Sequence, residues 1–188
     1  LEWAQHPFPY LRELTLLTVP RPPPPKVQAR LGSLLFDPYP DVRRAACKLA
    51  RDTKDPALKE PVLKLVSEAR DESLQAEARW AAVELGARYE MLQILAERLD
   101  QPNAHSGAHS FIYNIVGGRG WSFSGGPSVS AEFKARWQEF LKAHEVELRA
   151  GKRFAPGDPA LSPEMFPDCY FDREDGTSWP ERPKPAAR

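Results

Sequence analysis

The chain has 188 residues, of which 41% are hydrophobic and 28% are charged, and this balance excludes a chain that is disordered throughout. Its 26 Lys and Arg residues equal its 26 Asp and Glu residues, so the bulk attraction to phosphate that most nucleic-acid binders use is missing. The longest apolar run, residues 14–19, is far shorter than the ~18 residues that a membrane-spanning helix needs.

The two cysteines, Cys47 and Cys169, are too few and too far apart in the sequence to predict a disulfide framework. We expect two free thiols, and the cytoplasm is slightly favoured as the compartment. Because the numbering begins at Leu1 and not at Met, a processed extracytoplasmic protein stays open as an alternative, so the localisation is left unassigned.

Residues 1–25 form a proline-rich N-terminal segment around one short apolar stretch, residues 11–19, which predicts a helix. The proline run at residues 22–25 must be extended, because proline fixes its own backbone and pushes the preceding residue out of the helical region. Apolar residues at helical spacing then continue from Lys26 to Phe36.

Helices joined by short turns are predicted throughout residues 26–117. Asp55 is a predicted N-cap, followed by a helix to about residue 69 that Pro61 should kink. Asp71 begins the next helix, which ends near Gly86. A further helix is predicted at residues 89–100.

Two of these segments are nearly the same. Residues 41–50 and 77–86 align with Arg43 and Arg79 36 residues apart, and residues 108–117 form a weaker third copy in which bulky side chains replace alanines. Self-similarity at this period is typical of a solenoid, in which each helix pair buries its apolar face against its neighbours.

The remainder of the chain divides into three parts. Residues 118–130 are a predicted glycine-rich loop, and residues 131–151 are a predicted capping helix with one apolar stripe. Residues 152–188 are a proline-rich C-terminal tail that we expect to dock on the body or on a partner. Within this tail, residues 170–171 and 177–179 flank Asp175-Gly176 and suggest a small hairpin.

Residues 41–50 follow the pattern Asp-x-Val-Arg-x-x-Ala-x-x-Leu in the second helix of a pair, and a proline lies inside a first helix. Together these features resemble HEAT repeats, in particular the short bacterial HEAT-like or PBS-lyase-type repeats. The resemblance covers about residues 26–117. It implies an all-α fold: a short right-handed α-solenoid of HEAT-like helix pairs, with a capping helix and irregular proline-rich termini. In such repeats the arginines at this position, here Arg43 and Arg79, commonly form a ladder between stacked units.

The resemblance implies a non-catalytic protein–protein interaction or scaffold module that serves as a subunit of a larger assembly, with protein partners of unknown identity and no cofactor. HEAT-like folds also serve as alkylpurine DNA glycosylases and as bilin lyases, which gives two alternatives. Neutral charge disfavours DNA binding, and only scattered aromatic residues support a chromophore-binding protein.

A metal site has one weak candidate in His105 and His109, whose spacing of four places both on one helix face. No third ligand follows in the sequence, so capping or partly buried histidines are favoured. The glycine-rich stretch at residues 117–121 follows a helix C-terminus, where the dipole is negative, which argues against a phosphate loop.

The predicted partner surface has two parts. One is the outer face of the second helices of the repeats, and the other is an aromatic loop beyond the third copy. The residues assigned to them are Arg43, Lys48, Arg79 and Glu84 on the helices, and Trp121 and Phe123 in the loop.

Overall fold

The computed structural model describes residues 2–101, 105–117, 119–126 and 130–182, and it is mostly helical with one small sheet. The predicted predominance of helix is therefore confirmed, and the sheet is an addition to it. The chain forms two compact units, residues 1–91 and 92–188. None of the helices in the described residues is long and apolar enough to cross a membrane.

The first unit is built from helices, several of which begin at a proline or a capping side chain. These are α1 Pro9–Thr18, α2 Pro25–Leu34, α3 Pro40–Thr53, α4 Lys59–Glu68, α5 Glu72–Glu84 and the start of α6 Arg88–Ala96. Proline is the first residue of α1, α2 and α3, where its missing N–H has no partner to lose. The Asp71 side chain caps α5 by accepting from the Leu74 N–H at 2.7 Å, and Gly86 follows the helix with φ +72°.

Pro61 does not kink the interior of a longer helix, as the sequence predicts. The segment after the Asp55 cap begins as a 3-10 helix, Pro56–Leu58, and becomes α-helical only at Lys59. Pro61 is therefore the third residue of α4, where the backbone N–H has no intrahelical partner, so the proline costs no hydrogen bond.

The core of the first unit lies where α3 packs against α1, α2 and α5, and where α4 packs against α5. Alanines dominate the facing sides of α3 and α5, and they are fully buried: Ala46, Ala50, Ala78, Ala81 and Ala82. Because alanine has a small side chain, the two helix backbones can approach closely. The repeated segments of the sequence thus become neighbouring helices.

The second unit combines the remainder of α6, the helices α7 His105–Ile115, α8 Ala131–Ala143 and α9 Glu145–Arg149, and an antiparallel sheet of β1 Trp121–Gly125, β2 Cys169–Arg173 and β3 Ser178–Trp179. The fully buried Trp137 on α8 is central to its core. The rings of Phe111, Phe140 and Phe166 lie 5.2, 5.3 and 5.4 Å from the Trp137 ring, edge-on, which is a favoured geometry for aromatic pairs.

This unit differs from the sequence prediction in two places. Part of the predicted loop at 118–130 is the strand β1, and the predicted helix at 131–151 is divided into α8 and α9 at His144, whose φ of −114° and ψ of 22° are not helical. The hairpin in the tail is confirmed, because β2 pairs with β3. The strand pairing between β1 and β2 joins residues far apart in the sequence, and no local signal predicts it.

Candidate functional site

The helix residues that the sequence assigns to a partner surface lie in different environments. Arg43 donates from Nη1 to the Asp37 carbonyl oxygen at 2.7 Å, so it holds the turn before its own helix. Lys48 is exposed, and its Nζ lies 3.7 Å from Oε1 of Glu77 on α5. Glu84 is also exposed. Lys48 and Glu84 are therefore accessible, while Arg43 supports a turn.

Arg79 is buried and does not lie on the surface. Only 7% of the residue is exposed, and burial lowers the pKa of its guanidinium, while attraction to Glu72 partly opposes that shift. A residue in this position cannot offer its charge to a partner.

The sequence missed four further residues of the same surface. Arg44 on α3 donates from Nη1 to Ser73 Oγ on α5 at 3.2 Å, one helical turn from the Lys48–Glu77 pair. Trp80 on α5 is 61% exposed, which is unusual for so large an apolar side chain. We define the second-helix surface by its accessible residues: Arg44, Lys48, Ser73, Glu77, Trp80 and Glu84.

Only one side chain of the predicted histidine pair lies within the described residues. The His109 ring lies 4.8 Å from the Phe123 ring, edge-on, and the side chain of His105 lies outside the described residues. The described part of the chain contains no group of three or more His, Cys, Asp or Glu side chains that could hold a metal ion.

Both cysteines are buried free thiols. Burial raises the pKa of Cys47 and that of Cys169 to about 12 each. At neutral pH both sulfurs are therefore protonated, and a protonated thiol is a poor nucleophile.

The first unit contains an open cleft of about 410 Å³ whose central cation is already paired. Arg12 donates from Nε and Nη2 to the Asp37 carboxylate at 2.8 and 2.9 Å, and from Nη1 to the His6 carbonyl oxygen at 2.5 Å. This bidentate pair is buried and ties the N-terminal segment to the turn between α2 and α3. We interpret it as structural.

The second unit contains a smaller cleft of about 240 Å³, which we call the aromatic cleft. Tyr113 at the end of α7 is 60% exposed, and Trp121 and Phe123 of β1 are half-buried. The cleft is lined by Tyr113, Val116, Gly117, Trp121, Ser122, Phe123, Arg153, Pro156 and Phe171. The structure thus brings the two predicted aromatic residues together with residues from α7, β2 and the chain after α9.

Phe123 and Phe171 connect the cleft to the sheet. The two residues are cross-strand partners in β1 and β2, and their rings lie 5.1 Å apart. Farther along the same strand, the backbone of Gly125 has φ +84°, and a Cβ there would collide with the carbonyl oxygen of Asp168. Glycine is therefore required for β1 to approach the start of β2 this closely.

Arg153 supplies a charge at the rim of the cleft. Its guanidinium lies over the Tyr113 ring at 5.4 Å, and it is exposed. Among the described residues no carboxylate lies within ion-pair distance of Arg153, whereas Arg173, which stacks on Trp121, is 3.5 Å from Asp175. Gly117 leaves room for the arginine, since a Cβ there would lie 2.8 Å from Arg153 Cδ.

β1 is an edge strand, and its outer backbone groups are unused in the described part of the chain. The backbone N–H of Glu174 donates to the Gly120 carbonyl oxygen at 3.1 Å. Because hydrogen-bonded and non-hydrogen-bonded pairs alternate along an antiparallel ladder, this bond fixes which residues of β1 bond to β2. By this alternation, Ser122 and Ser124 bond to β2, while the N–H and C=O groups of Trp121 and Phe123 point to the open edge.

Sequence reasoning found Trp121 and Phe123 but missed Tyr113, Arg153 and the open edge. Tyr113 lies in the weak third copy, where it aligns with Val83 of the second copy, and this change of side chain was a usable signal. Arg153 lies two residues beyond the end of the predicted helix and has no distinguishing pattern. The edge depends on the β1–β2 pairing, which residues near β1 do not reveal.

Comparisons with protein-family models, with curated proteins and with solved structures find no match to this chain.

Proposed function

We propose that the chain is a non-catalytic protein-interaction module whose partner site is the aromatic cleft. The observation that carries the proposal is a cleft with one exposed and two half-buried aromatic side chains, beside an arginine that has no carboxylate partner in the described residues. Exposed aromatic groups of this kind are enriched at protein interfaces, where tyrosine, tryptophan and arginine contribute most of the binding energy.

The helix packing of the first unit supports a HEAT-like α-solenoid as the framework. In the sequence, residues 41–50 and 77–86 are copies, and they lie in α3 and α5, which pack against each other. The contacts Arg44–Ser73 and Lys48–Glu77 repeat one turn apart along these helices. Equivalent helices that pack against each other as neighbours are the arrangement that a solenoid requires.

The test is chemical crosslinking of the purified chain in extract of its native source, followed by mass spectrometry. The proposal expects one protein to be crosslinked reproducibly near the aromatic cleft, and Tyr113→Ala to reduce its yield. Tyr113 is mostly exposed, so this variant should fold normally.

Trp80→Ala is the matched control, since Trp80 is equally exposed but lies on the second-helix surface. A partner lost with Trp80→Ala and kept with Tyr113→Ala would move the interaction to α3 and α5. A chain that crosslinks to no protein, or that turns over a substrate, would contradict the proposal.

A further inference from the structure

The aromatic cleft and the open edge of β1 are parts of one surface. Trp121 and Phe123 contribute their side chains to the cleft, and their backbone N–H and C=O groups face the edge beside it. A ligand in the cleft therefore lies close to unused backbone donors and acceptors. Such an edge is a template for an added strand, which pairs through its main chain and places alternate side chains in pockets.

The size of the cleft favours a peptide over a small molecule. At about 240 Å³ it is below the ~300 Å³ at which ligand pockets usually begin, so it holds only one or two side chains. A peptide gains the rest of its affinity from main-chain hydrogen bonds along the strand, which a compact ligand cannot make.

The charge at the rim selects an acidic peptide. Arg153 is exposed and unpaired among the described residues, and Arg173 adds a second cation over Trp121, although Asp175 partly neutralises it. A guanidinium held over a tyrosine ring presents its donors to a carboxylate, and Arg–carboxylate pairs are stronger than neutral hydrogen bonds.

We propose that the aromatic cleft binds an extended acidic peptide segment of another protein, whose backbone adds to the open edge of β1 and whose carboxylate pairs with Arg153. An apolar or proline side chain of that segment fills the space between Tyr113 and Trp121. The inference rests on the proposed function and names the class of partner for the same site.

The experiment uses a random dodecapeptide display library selected on the full chain, followed by affinity measurements on the enriched peptides. We expect enriched sequences that place Asp or Glu at a fixed distance from an apolar or proline residue. We also expect Arg153→Glu to weaken binding about tenfold or more and to shift the selection toward Lys and Arg. Lys142→Glu, an exposed charge reversal on α8 outside the cleft, should leave the selection unchanged.

N-methylation of the enriched peptide tests the strand pairing. Two peptides are compared, one methylated on its odd-numbered and one on its even-numbered residues, which we call the two phases. In one phase the methyl groups block hydrogen bonds to the edge and should reduce affinity about fivefold or more, and in the other they should leave it unchanged. Equal effects in both phases would rule out the added strand, and a selection that ignores charge would rule out the pairing with Arg153. Far-UV circular dichroism of each variant verifies the fold.

The two proposals fail differently. If crosslinking captures a protein that Tyr113→Ala and Arg153→Glu do not affect, the chain is an interaction module whose partner site lies outside the aromatic cleft, and the acidic peptide is wrong. If no protein is captured while acidic peptides bind as described, the peptide site stands without the module's cellular partner.

Discussion

Arg12 and Arg79 are both buried, and they differ in what compensates their charge. The hydrogen bond to Asp37 raises the pKa of Arg12, and this carboxylate is buried beside it. Arg79 instead has a pKa lowered by burial, with attraction to the exposed Glu72 as the opposing influence. A buried charge with weak compensation costs free energy that an apolar residue of similar length would not.

We therefore expect Arg79→Met to leave the free energy of unfolding unchanged or to raise it by about 1 kcal/mol. Arg79→Glu should lower it by about 2 kcal/mol or more, because a carboxylate would then be buried without a partner. Urea unfolding followed by circular dichroism measures both.

The exposed Arg70→Glu serves as the control and should change stability by less than about 0.5 kcal/mol. A stable Arg79→Glu variant would show that the side chain reaches solvent. The burial also means that a loss of partner binding in this variant would report unfolding and not a lost contact.

Gly125 illustrates how one residue controls an element. With φ +84° and the Asp168 carbonyl oxygen where a Cβ would be, it permits β1 to pair with β2 up to the Gly125–Cys169 position. The sheet in turn holds Trp121 and Phe123 at the aromatic cleft.

Gly125→Ala should lower the free energy of unfolding by at least about 2 kcal/mol, since it adds both an unfavourable backbone conformation and a collision with backbone. Guanidinium unfolding measures the loss. Gly126→Ala is the matched control, because no atom of the described residues lies within 4 Å of a Cβ at that position. Similar losses in the two variants would contradict the account of β1.

The junction of α8 and α9 contains a chain of ionisable groups. Glu147 accepts from Lys152 Nζ at 2.6 Å, and its Oε2 lies 2.5 Å from His144 Nδ1. The hydrogen bond from Lys152, followed by that of His144, holds the pKa of Glu147 below its ordinary value of 4.5. The contact between Glu147 and Lys152 thus joins α9 to the segment that leads to Phe154.

This lowered pKa predicts a pH dependence with a definite sign. A carboxylate whose pKa is lower in the folded state stabilises the fold above its unfolded pKa of 4.5, and the contribution is lost as pH falls through the folded pKa. Glu147→Gln should therefore destabilise the chain at pH 7 and have less effect near pH 3. Urea unfolding at the two pH values tests this, and an equal difference at both would exclude the ionic contribution.

At the scale of the whole molecule, charges of opposite sign are equal in number, and many of those in the described residues form ion pairs. The net charge is zero, and ion pairs such as Arg21–Asp52 and Lys134–Asp100 intersperse the two signs within each unit. Such interspersed charges among the described residues disfavour a continuous basic stripe, along which nucleic-acid backbones bind.

We expect no electrophoretic shift of duplex DNA at about 0.15 M salt, where non-specific binding depends on released counterions. A shift that appears at low ionic strength, weakens with added salt and is still present at about 0.15 M salt would support the DNA-glycosylase alternative. A DNA-binding protein of known affinity in parallel lanes is the positive control.

Most helices were predictable from the sequence because their signals are local. The Asp71 cap and Gly86 act on residues one turn away, and the structure places the ends of α5 accordingly. The prediction of an extended run at residues 22–25 was wrong at its end, because Pro25 is the first residue of α2, a position that proline tolerates. The hairpin of β2 and β3 was also predictable, since its turn lies between its strands. The exposure of Lys48 and Glu84 followed from helical spacing.

Only the tertiary structure decided the burial of Arg79, the pairing of β1 with β2, and the meeting of Tyr113, Trp121 and Arg153 in one cleft. These depend on contacts between residues distant in the sequence, which periodicity and capping do not encode. The glycine-rich surroundings of Trp121 thus predict an aromatic residue in a loop. In the structure it is a strand residue at an open sheet edge, because β2 supplies the hydrogen bonds that define the strand.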